Sequence, residues 1–264
     1  MTETQSAQFK LLWEQTFKAA EVDAQAWNFD LGDGTLAGIP GWGNQEREYY
    51  RPENAKTGDG LTIEALRMPA DNGLLCYYGA PAEWTSSKLH TLGKVHFQYG
   101  RIEARIQAPS GGGTWPAFWM LGVGITHTPW PQCGEIDIFE ARGDLPTTVY
   151  GTLHGPGYSG ADPRGMVWDS GTQISEGFHT YSIDWLPGEI TWRFDGEVFF
   201  HQTREDISPL EWVYDQPFYI VLNLAMGGHF TGPIDEQLNR AELRVDYIRH
   251  YSINGVGTNQ LVLD

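Results

Sequence analysis

The segment CGEIDIFE, residues 133–140, places three carboxylates among apolar residues. Side chains alternate between the two faces of a flat strand, so Glu135 and Asp137 would face one way and Glu140 would face the core. A buried carboxylate without a partner is costly, because its charge loses the solvation that water provides. A β-bulge at Ile138-Phe139 removes this conflict, since one extra residue returns Glu140 to the face of the other two acids. The segment therefore predicts a bulged strand with all three acids on one surface.

The spacing of the two glutamates limits the chemistry that they can perform. A bulged strand separates the Cα atoms of Glu135 and Glu140 by ~13–15 Å. Side chains that lean toward each other bring the carboxyl groups to ~5–7 Å. Cleavage of a glycosidic bond uses carboxyl groups ~5–5.5 Å apart for retention of configuration and ~6.5–9.5 Å apart for inversion. The spacing permits both outcomes, and Asp137 between the glutamates would push their pKa values apart.

Two simpler interpretations of the acids are an exposed acidic strand edge and a calcium site. The surroundings favour a third. Three tryptophans, Trp115, Trp119 and Trp130, precede the segment, and His154 follows on the next predicted strand. Indole rings provide flat apolar platforms. Acids beside such platforms are typical of a cleft that binds sugars.

The composition favours a β protein with a neutral partner. The chain of 264 residues holds 11 Trp, 12 Tyr, 12 Phe and 32 Gly, a mixture that favours strands and turns. Its formal net charge of −17 repels nucleic acids, anionic membranes and sulfated polymers. We therefore expect no nucleic-acid partner and no membrane association.

Short segments with alternating polarity recur along the chain and predict an antiparallel sandwich or barrel. Asp195-Gly196 predicts a hairpin turn, and a short helical turn is expected near 205–213. We expect one domain over residues 1–264, with irregular ends near 1–8 and 255–264. The predicted strands are 61–68, 100–109, 134–141, 148–154, 179–187, 189–202, 218–226 and 243–253.

Neither the ends nor the cysteines fix a cellular compartment. The first residues show no basic and apolar pattern of a signal peptide, and no apolar run is long enough to span a membrane. The protein is therefore expected to be cytoplasmic, or secreted if a leader has been removed. Cys76 and Cys133 are compatible with one disulfide or with two thiols.

Other motifs accompany the acidic segment from about residue 9 to residue 252. Together with EIDIFE, they resemble glycoside hydrolase family 16 in its bulged, laminarinase-like form. The motifs are GWGNQEREYY (41–50), TSSKLHTLGKVHFQYGRIEARIQAP (85–109), GTWPAFWMLG (113–122), WPQCGEIDIFEARG (130–143), YGTLHGPG (150–157), FHTYSIDWLPGEITWRFDG (178–196), FYIVLNLAMGG (218–228) and RVDYIRHY (244–251).

The resemblance implies an all-β fold, a concanavalin A-like β-jelly-roll of two curved antiparallel sheets with a glucan cleft. It implies that Glu135 is the nucleophile, Glu140 the general acid/base and Asp137 the residue that tunes the pair. The implied reaction is retaining hydrolysis of internal β-1,3-glucosidic bonds in laminarin-type β-glucans by a monomer that needs no catalytic cofactor. The alternatives are a mixed-linkage β-glucanase, another hydrolase or transglycosylase of neutral glucans in the family, and a non-catalytic β-glucan-binding lectin.

The resemblance also implies residues that contact sugar, while Trp119 is interpreted as a core residue. Lys88 stands where many relatives have Arg, so a two-pronged contact becomes a single ammonium. A structural Ca²⁺ is expected at Asp246, which matches an aspartate in the last strand of relatives. The residues with an implied substrate contact are Trp130, Trp115, His154, Asn44, Glu46, Lys88 and Asn223.

Overall fold

The computed structural model describes residues 7–262, which form nineteen β-strands and one short α-helix. Four short 3-10 helices also occur, at Thr35–Ala37, Pro40–Gly43, Pro52–Asn54 and Val123–Thr126. The helix α1 is Arg204–Ile207. The strands are β1 (Phe9–Gln15), β2 (Asn28–Phe29), β3 (Glu48–Tyr50), β4 (Ala55–Thr57), β5 (Leu61–Arg67), β6 (Trp84–Ser86), β7 (Lys88–His90), β8 (Val95–Gln98), β9 (Gly100–Gln107), β10 (Thr114–Gly122), β11 (Glu135–Glu140), β12 (Thr148–His154), β13 (Arg164–Asp169), β14 (His179–Leu186), β15 (Glu189–Phe194), β16 (Glu197–Thr203), β17 (Phe218–Met226), β18 (Arg240–Ile253) and β19 (Thr258–Leu261).

Two large sheets divide these strands. The ten-stranded sheet has the order β16-β15-β14-β9-β18-β5-β6-β3, with β1 paired to β18 and β4 paired to β5. The nine-stranded sheet has the order β13-β12-β11-β10-β17-β7-β2, with β8 joined to β17 and β19 joined to β8. The pairings are antiparallel except for that of β3 with β6, which is parallel. The predicted sandwich of two antiparallel sheets is confirmed.

The alternation of the sequence determines how the sheets meet. In β9 every second residue is buried, as expected for a strand with one face on the core and the other toward solvent. The ring centroids of Phe139 and Tyr181, one from each sheet, lie 4.0 Å apart across the interface. Each buried aromatic side chain of this size contributes about 1.5–3 kcal/mol relative to an exposed one. Contacts of this kind hold the two sheets together as one core.

The predicted hairpin is confirmed. Asp195 and Gly196 have φ angles of 47° and 86°, and the turn joins β15 to β16. Two-residue turns with positive φ at both positions match the twist of the flanking strands. The predicted helical turn is also present but shorter, because it ends before Ser208-Pro209.

The expected irregular segment at 255–264 is wrong over part of its length. Residues Thr258–Leu261 form β19 and pair with β8. Of the other expected irregular end, residues 1–6 lie outside the described part of the chain, and β1 begins at Phe9.

Candidate active site

The predicted bulge lies at Ile138. Phe118 of β10 is opposite Phe139, and the next residue, Trp119, is opposite Asp137, so Ile138 has no partner on β10. The register with β12 also shifts between Asp137 and Glu140. Ile138 and Phe139 are both buried, whereas a straight strand would turn one of them outward.

A tryptophan from the opposite sheet bonds to this irregular segment. The indole Nε1 of Trp192 donates a hydrogen bond of 2.8 Å to the backbone carbonyl of Asp137. A Cβ on Gly151 would come within 2.7 Å of the Trp192 ring, so this position on β12 requires a glycine. The bulge is therefore supported from the core side, and the three acids lie on the outer face of the nine-stranded sheet.

The predicted acids share a cleft with five of the predicted sugar-contacting residues. Trp42, Ala117 and Trp119 also line it, although the sequence analysis assigned none of them to substrate. Trp130 and His154 lie beside the acids and contact them. The residues from the prediction that line the cleft are Asn44, Glu46, Lys88, Trp115, Asn223, Glu135, Asp137 and Glu140.

Each glutamate accepts a hydrogen bond from a tryptophan. The indole Nε1 of Trp130 donates to Oε2 of Glu135, and the indole Nε1 of Trp115 donates to Oε1 of Glu140 at 2.8 Å. Trp130 is 42 % exposed, so its ring presents a surface to solvent beside the acids. Trp115 packs its ring 4.8 Å from the ring of Phe230. The two indoles therefore hold the carboxyl groups in place and also provide platforms.

Burial dominates the electrostatics of the acids. It raises the pKa of Glu135 to about 8, and the charge of Asp137 adds to this rise. It raises the pKa of Glu140 to about 7, although the hydrogen bond from Trp115 lowers that pKa. Burial also raises the pKa of Asp137 well above its usual range, and the charge of Glu140 contributes. At neutral pH the cleft therefore retains protons that exposed carboxyls would release.

Asp137 is the most deeply buried of the three acids, with 3 % of its surface exposed. Its interaction with the carboxyl of Glu135 raises the pKa of Glu135 and lowers that of Asp137. When the proton between the two carboxyls is on Asp137, Glu135 is ionised and accepts a hydrogen bond from Asp137.

His154 lies on β12 directly opposite Glu135. Its Nε2 is 3.3 Å from Oδ2 of Asp137, and its Nδ1 accepts a hydrogen bond of 3.2 Å from the N–H of Gly160. In the neutral ring the proton is therefore on Nε2, which faces the acids. Glu135, Asp137 and His154 each place a metal-ligating atom within 4.8 Å of the others. Within this group Nε2 of His154 lies beside Asp137, and Glu135 accepts the hydrogen bond from Trp130.

A hydrogen-bonded chain crosses the opposite part of the cleft. Nδ2 of Asn44 donates to Oε1 of Glu46 at 3.0 Å, and the Tyr50 hydroxyl donates to Oε2 of Glu46 at 3.1 Å. Nδ2 of Asn223 donates to the Tyr50 hydroxyl at 3.2 Å. Asn223 belongs to β17 of the sheet that carries the acids, and its Oδ1 accepts a hydrogen bond of 2.8 Å from Nε1 of Trp119 in β10.

The assignment of Trp119 to the core is therefore wrong. Its ring lines the cleft, with the ammonium of Lys88 5.4 Å from its centroid. The same ammonium lies 4.2 Å from the ring of Trp42 and 3.3 Å from Oδ2 of Asp30. Lys88 thus packs against two indoles, where cation–π attraction orients the rings.

Trp42 was not predicted to contact substrate, although the sequence around it predicts a turn. It lies in the segment GIPGWG, and both Gly41 and Trp42 have positive φ angles, 61° and 52°. Glycines this dense predict a turn. A turn just before the predicted sugar-contacting residue Asn44 exposes its side chains to the same cleft.

The predicted calcium ligand lies on the other sheet. Asp246 is at a register shift of β18, between Val245 and Tyr247, and its Oδ2 accepts a hydrogen bond of 2.7 Å from Arg105. One carboxylate oxygen is thus committed to a guanidinium, and among residues 7–262 Asp246 belongs to no cluster of three ligating side chains. A calcium ion there would take the other oxygen and backbone carbonyls, so calcium stays a prediction.

Two further observations concern the cysteines and membranes. Cys76 and Cys133 are both buried and free, so the alternative of two thiols is the one present. Within the described residues, no helix has the length and apolar character needed to cross a bilayer.

The comparisons with known proteins agree with this geometry. The model of the family "Glycosyl hydrolases family 16" matches residues 44–249. A beta-glucanase from Rhodothermus marinus is 38% identical over 260 residues, which cover 92% of this chain and 85% of the relative.

Two solved structures have the same fold. The catalytic domain of an endo-1,3-beta-glucanase (laminarinase) from Thermotoga petrophila is 41% identical with a TM-score of 0.88, covering 95% of this chain and 100% of that one. An endo-beta-1,3-glucanase from Pyrococcus furiosus is 42% identical with a TM-score of 0.87, covering 96% and 97%. With the family model spanning most of the chain and the acids on a bulged strand in its cleft, this protein belongs to glycosyl hydrolases family 16.

Proposed function

We propose that this chain hydrolyses internal β-1,3-glucosidic bonds of a neutral, laminarin-type β-glucan with retention of configuration. The observation that carries the proposal is the position of Glu135 and Glu140, which project from one bulged strand into one cleft and each accept a bond from an indole. The named activities of the relatives support the choice of linkage. We further propose that the protein acts as a monomer without a nucleic-acid partner, in keeping with its net charge of −17.

The first half of the reaction forms a glycosyl-enzyme. The carboxyl of Glu140, with its pKa raised to about 7, is protonated at mildly acidic pH and donates its proton to the leaving glycosidic oxygen. The carboxylate of Glu135 attacks the anomeric carbon from the opposite side as the C–O bond breaks. Transfer of the proton from Glu135 to Asp137 ionises the nucleophile, and the indole N–H of Trp130 stabilises and orients the resulting carboxylate.

The second half releases the product. Glu140, now ionised, takes a proton from a water molecule, whose oxygen attacks the anomeric carbon and displaces Glu135. Two displacements at one carbon restore the original configuration. The pKa of Glu140 near neutrality suits both directions of proton transfer, since the group is neither too weak an acid nor too weak a base.

The central experiment is a product profile. We expect new reducing ends from laminarin first as a ladder of oligosaccharides, fewer from lichenan, and none from agarose. Proton NMR of the earliest products should show the β anomer before mutarotation. Mixed-linkage activity predicts the reverse order of laminarin and lichenan, and transglycosylation predicts transfer products from xyloglucan.

A non-catalytic glucan-binding protein is the candidate from another class. The chain carries the complete set of Glu135, Asp137 and Glu140 in one cleft, which favours catalysis. The discriminating control is Glu135→Gln, which keeps the shape of the side chain and removes the nucleophile. Tight binding of laminarin by both proteins, with no reducing ends from the unmodified one, would refute the enzymatic proposal.

A further inference from the structure

Glu48 is a buried carboxyl group outside the set of catalytic acids. It lies in β3 with 1 % of its surface exposed. Its Oε2 accepts a hydrogen bond of 2.7 Å from the backbone N–H of Met226, the last residue of β17. Its other oxygen is buried and accepts no hydrogen bond from the described residues, among which Glu48 forms no ion pair.

The neighbour of this carboxyl is a second acid. Glu46 is 5 % exposed and lies within hydrogen-bonding contact of Glu48. Neither acid forms an ion pair in the part of the chain that the structure describes. Two charged carboxylates here would repel each other and lose their solvation, so one of them retains a proton. The surrounding donors decide which one.

Glu46 accepts hydrogen bonds on both oxygens, from Nδ2 of Asn44 and from the hydroxyl of Tyr50. Glu48 accepts only one, from Met226. The group with more donors is the one that carries the negative charge, because hydrogen bonds to a carboxylate stabilise the charged form. The unpaired oxygen of Glu48 is therefore a hydroxyl that points to Glu46, and burial raises the pKa of Glu48 well above its usual range.

We propose that Glu48 is a positioning residue, a permanently neutral acid that donates a hydrogen bond to Glu46 and fixes its carboxylate toward the cleft. Glu46 then offers an oriented acceptor to a sugar hydroxyl on the side of Asn44. The same network holds the ring of Trp119 through Tyr50 and Asn223. The role in substrate binding rests on the proposed function, whereas the protonation of Glu48 does not.

The decisive property of a neutral acid is that glutamine can replace it. In Glu48→Gln the amide oxygen accepts from Met226 and the amide nitrogen donates to Glu46. In Glu48→Met the volume is similar, but the N–H of Met226 loses its acceptor and Glu46 loses a donor. If Glu48 were ionised, Glu48→Gln would remove its negative charge, and glutamine would replace it no better than methionine.

The kinetic test compares Glu48→Met with Glu48→Gln on laminari-oligosaccharides. We expect Glu48→Met to raise KM by roughly 10–100-fold, the range for a hydrogen bond to a charged group, with a smaller change in kcat. Glu48→Gln should keep KM within about threefold of that of the unmodified enzyme. A change of this size corresponds to the free energy of one weak hydrogen bond. A rise in KM for Glu48→Gln equal to that for Glu48→Met overturns the proposal, as does an unchanged KM for Glu48→Met.

A second measurement does not depend on turnover or on the stability of Glu48→Met. Infrared difference spectra between the unmodified protein and Glu48→Gln, recorded from pH 5 to pH 8, should contain the carbonyl band of a protonated carboxyl at every pH. A carboxylate band in place of it at pH 5–8 overturns the proposal. If the protein cleaves no β-glucan but the protonated band is present, the proposed function fails and the neutral state of Glu48 stands.

Discussion

Nε2 of His154 lies 3.3 Å from Oδ2 of Asp137, and the N–H of Gly160 donates to the other nitrogen of the same ring. The imidazole is thus fixed with its Nε2 toward the acids. The imidazole lowers the pKa of Glu135 and of Glu140, against the rise that burial causes. His154 therefore adjusts the pH at which the two glutamates hold the protonation states that catalysis requires.

Replacing His154 should move the acid limb of the pH–rate profile. Glu135 must be ionised to attack, so kcat/KM falls as pH falls through its pKa. Because His154 lowers that pKa, His154→Gln should shift the acid limb to higher pH. The measurement is kcat/KM on laminarin from pH 4 to pH 9, with His201→Gln on the ten-stranded sheet as a matched control. An acid limb that stays in place would show that the imidazole does not act on Glu135.

The two tryptophans should act on opposite limbs of the same profile. The indole of Trp130 lowers the pKa of Glu135, and the indole of Trp115 lowers that of Glu140. Phenylalanine keeps a ring and removes the N–H donor. We expect Trp130→Phe to shift the acid limb to higher pH and Trp115→Phe to shift the alkaline limb to higher pH, each by about one pH unit.

The activity of the unmodified enzyme should peak between about pH 7 and about pH 8, because attack needs an ionised Glu135 and proton donation needs a protonated Glu140. Each tryptophan variant serves as the control for the other, since both remove one indole donor from the same cleft. Equal movement of both limbs in either variant would contradict the assignment of one indole to each carboxyl.

Nucleophile and acid/base can be distinguished by the product formed with azide. In Glu135→Ala, azide replaces the missing nucleophile, so one displacement gives an α-glycosyl azide. In Glu140→Ala, azide attacks the glycosyl-enzyme on Glu135, so two displacements give a β-glycosyl azide. Both variants should lose about 10⁴-fold or more in kcat on laminarin, with activity on an aryl glycoside partly restored by azide. NMR of the azide product gives the answer, and exchanged anomers would reverse the two roles.

The bulge could be predicted from the sequence because charge and alternation conflict at Glu140. A straight strand buries that acid, and Ile138 with Phe139 supplies the extra apolar residue that the correction needs. Alternation would have placed Trp119 correctly, because β10 pairs with β17 without a register shift and Trp119 shares the face of Trp115 and Ala117. The alternation that identifies a strand gives the wrong orientation on one side of every bulge.

Other parts of the cleft depend on contacts between distant segments. The loop with Trp42 and the strand with Lys88 meet only in the folded chain, where Lys88 packs against two indoles. Glu48 looks like an exposed charge in the sequence REYY, and its burial depends on β17, whose residue Met226 bonds to it. Composition and residue spacing do not show which distant segments of the chain will contact each other.

The catalytic acids should reduce stability at neutral pH. The pKa of Glu135 is about 8 in the folded protein and near 4.5 in the unfolded chain, so the folded state binds more protons between these values. The free energy of unfolding therefore decreases as pH rises from about 4.5 to about 8. Glutamine has no charge to desolvate, so Glu135→Gln should raise Tm by a few degrees, with the gain increasing across this window. Calorimetry at pH 4.5 and pH 8 tests this, and a gain that shrinks with pH would contradict it.

The calcium prediction concerns stability and can be tested at Asp246. A ligand that binds only the folded state stabilises it by about 2.7 kcal/mol at a concentration 100 times its Kd. Each kcal/mol raises Tm by about 2–4 °C in a chain of this size. We therefore expect calcium to raise Tm over that of chelator-treated protein, and Asp246→Asn to abolish the increase. Asp162→Asn, an exposed loop position, is the matched control and should keep the increase in Tm.

Since Arg105 already bonds to Oδ2 of Asp246, Arg105→Gln should enlarge the calcium-dependent increase in Tm by freeing a second oxygen. An equal Tm with calcium and with chelator would contradict the calcium prediction and would show that Asp246 binds only the guanidinium of Arg105.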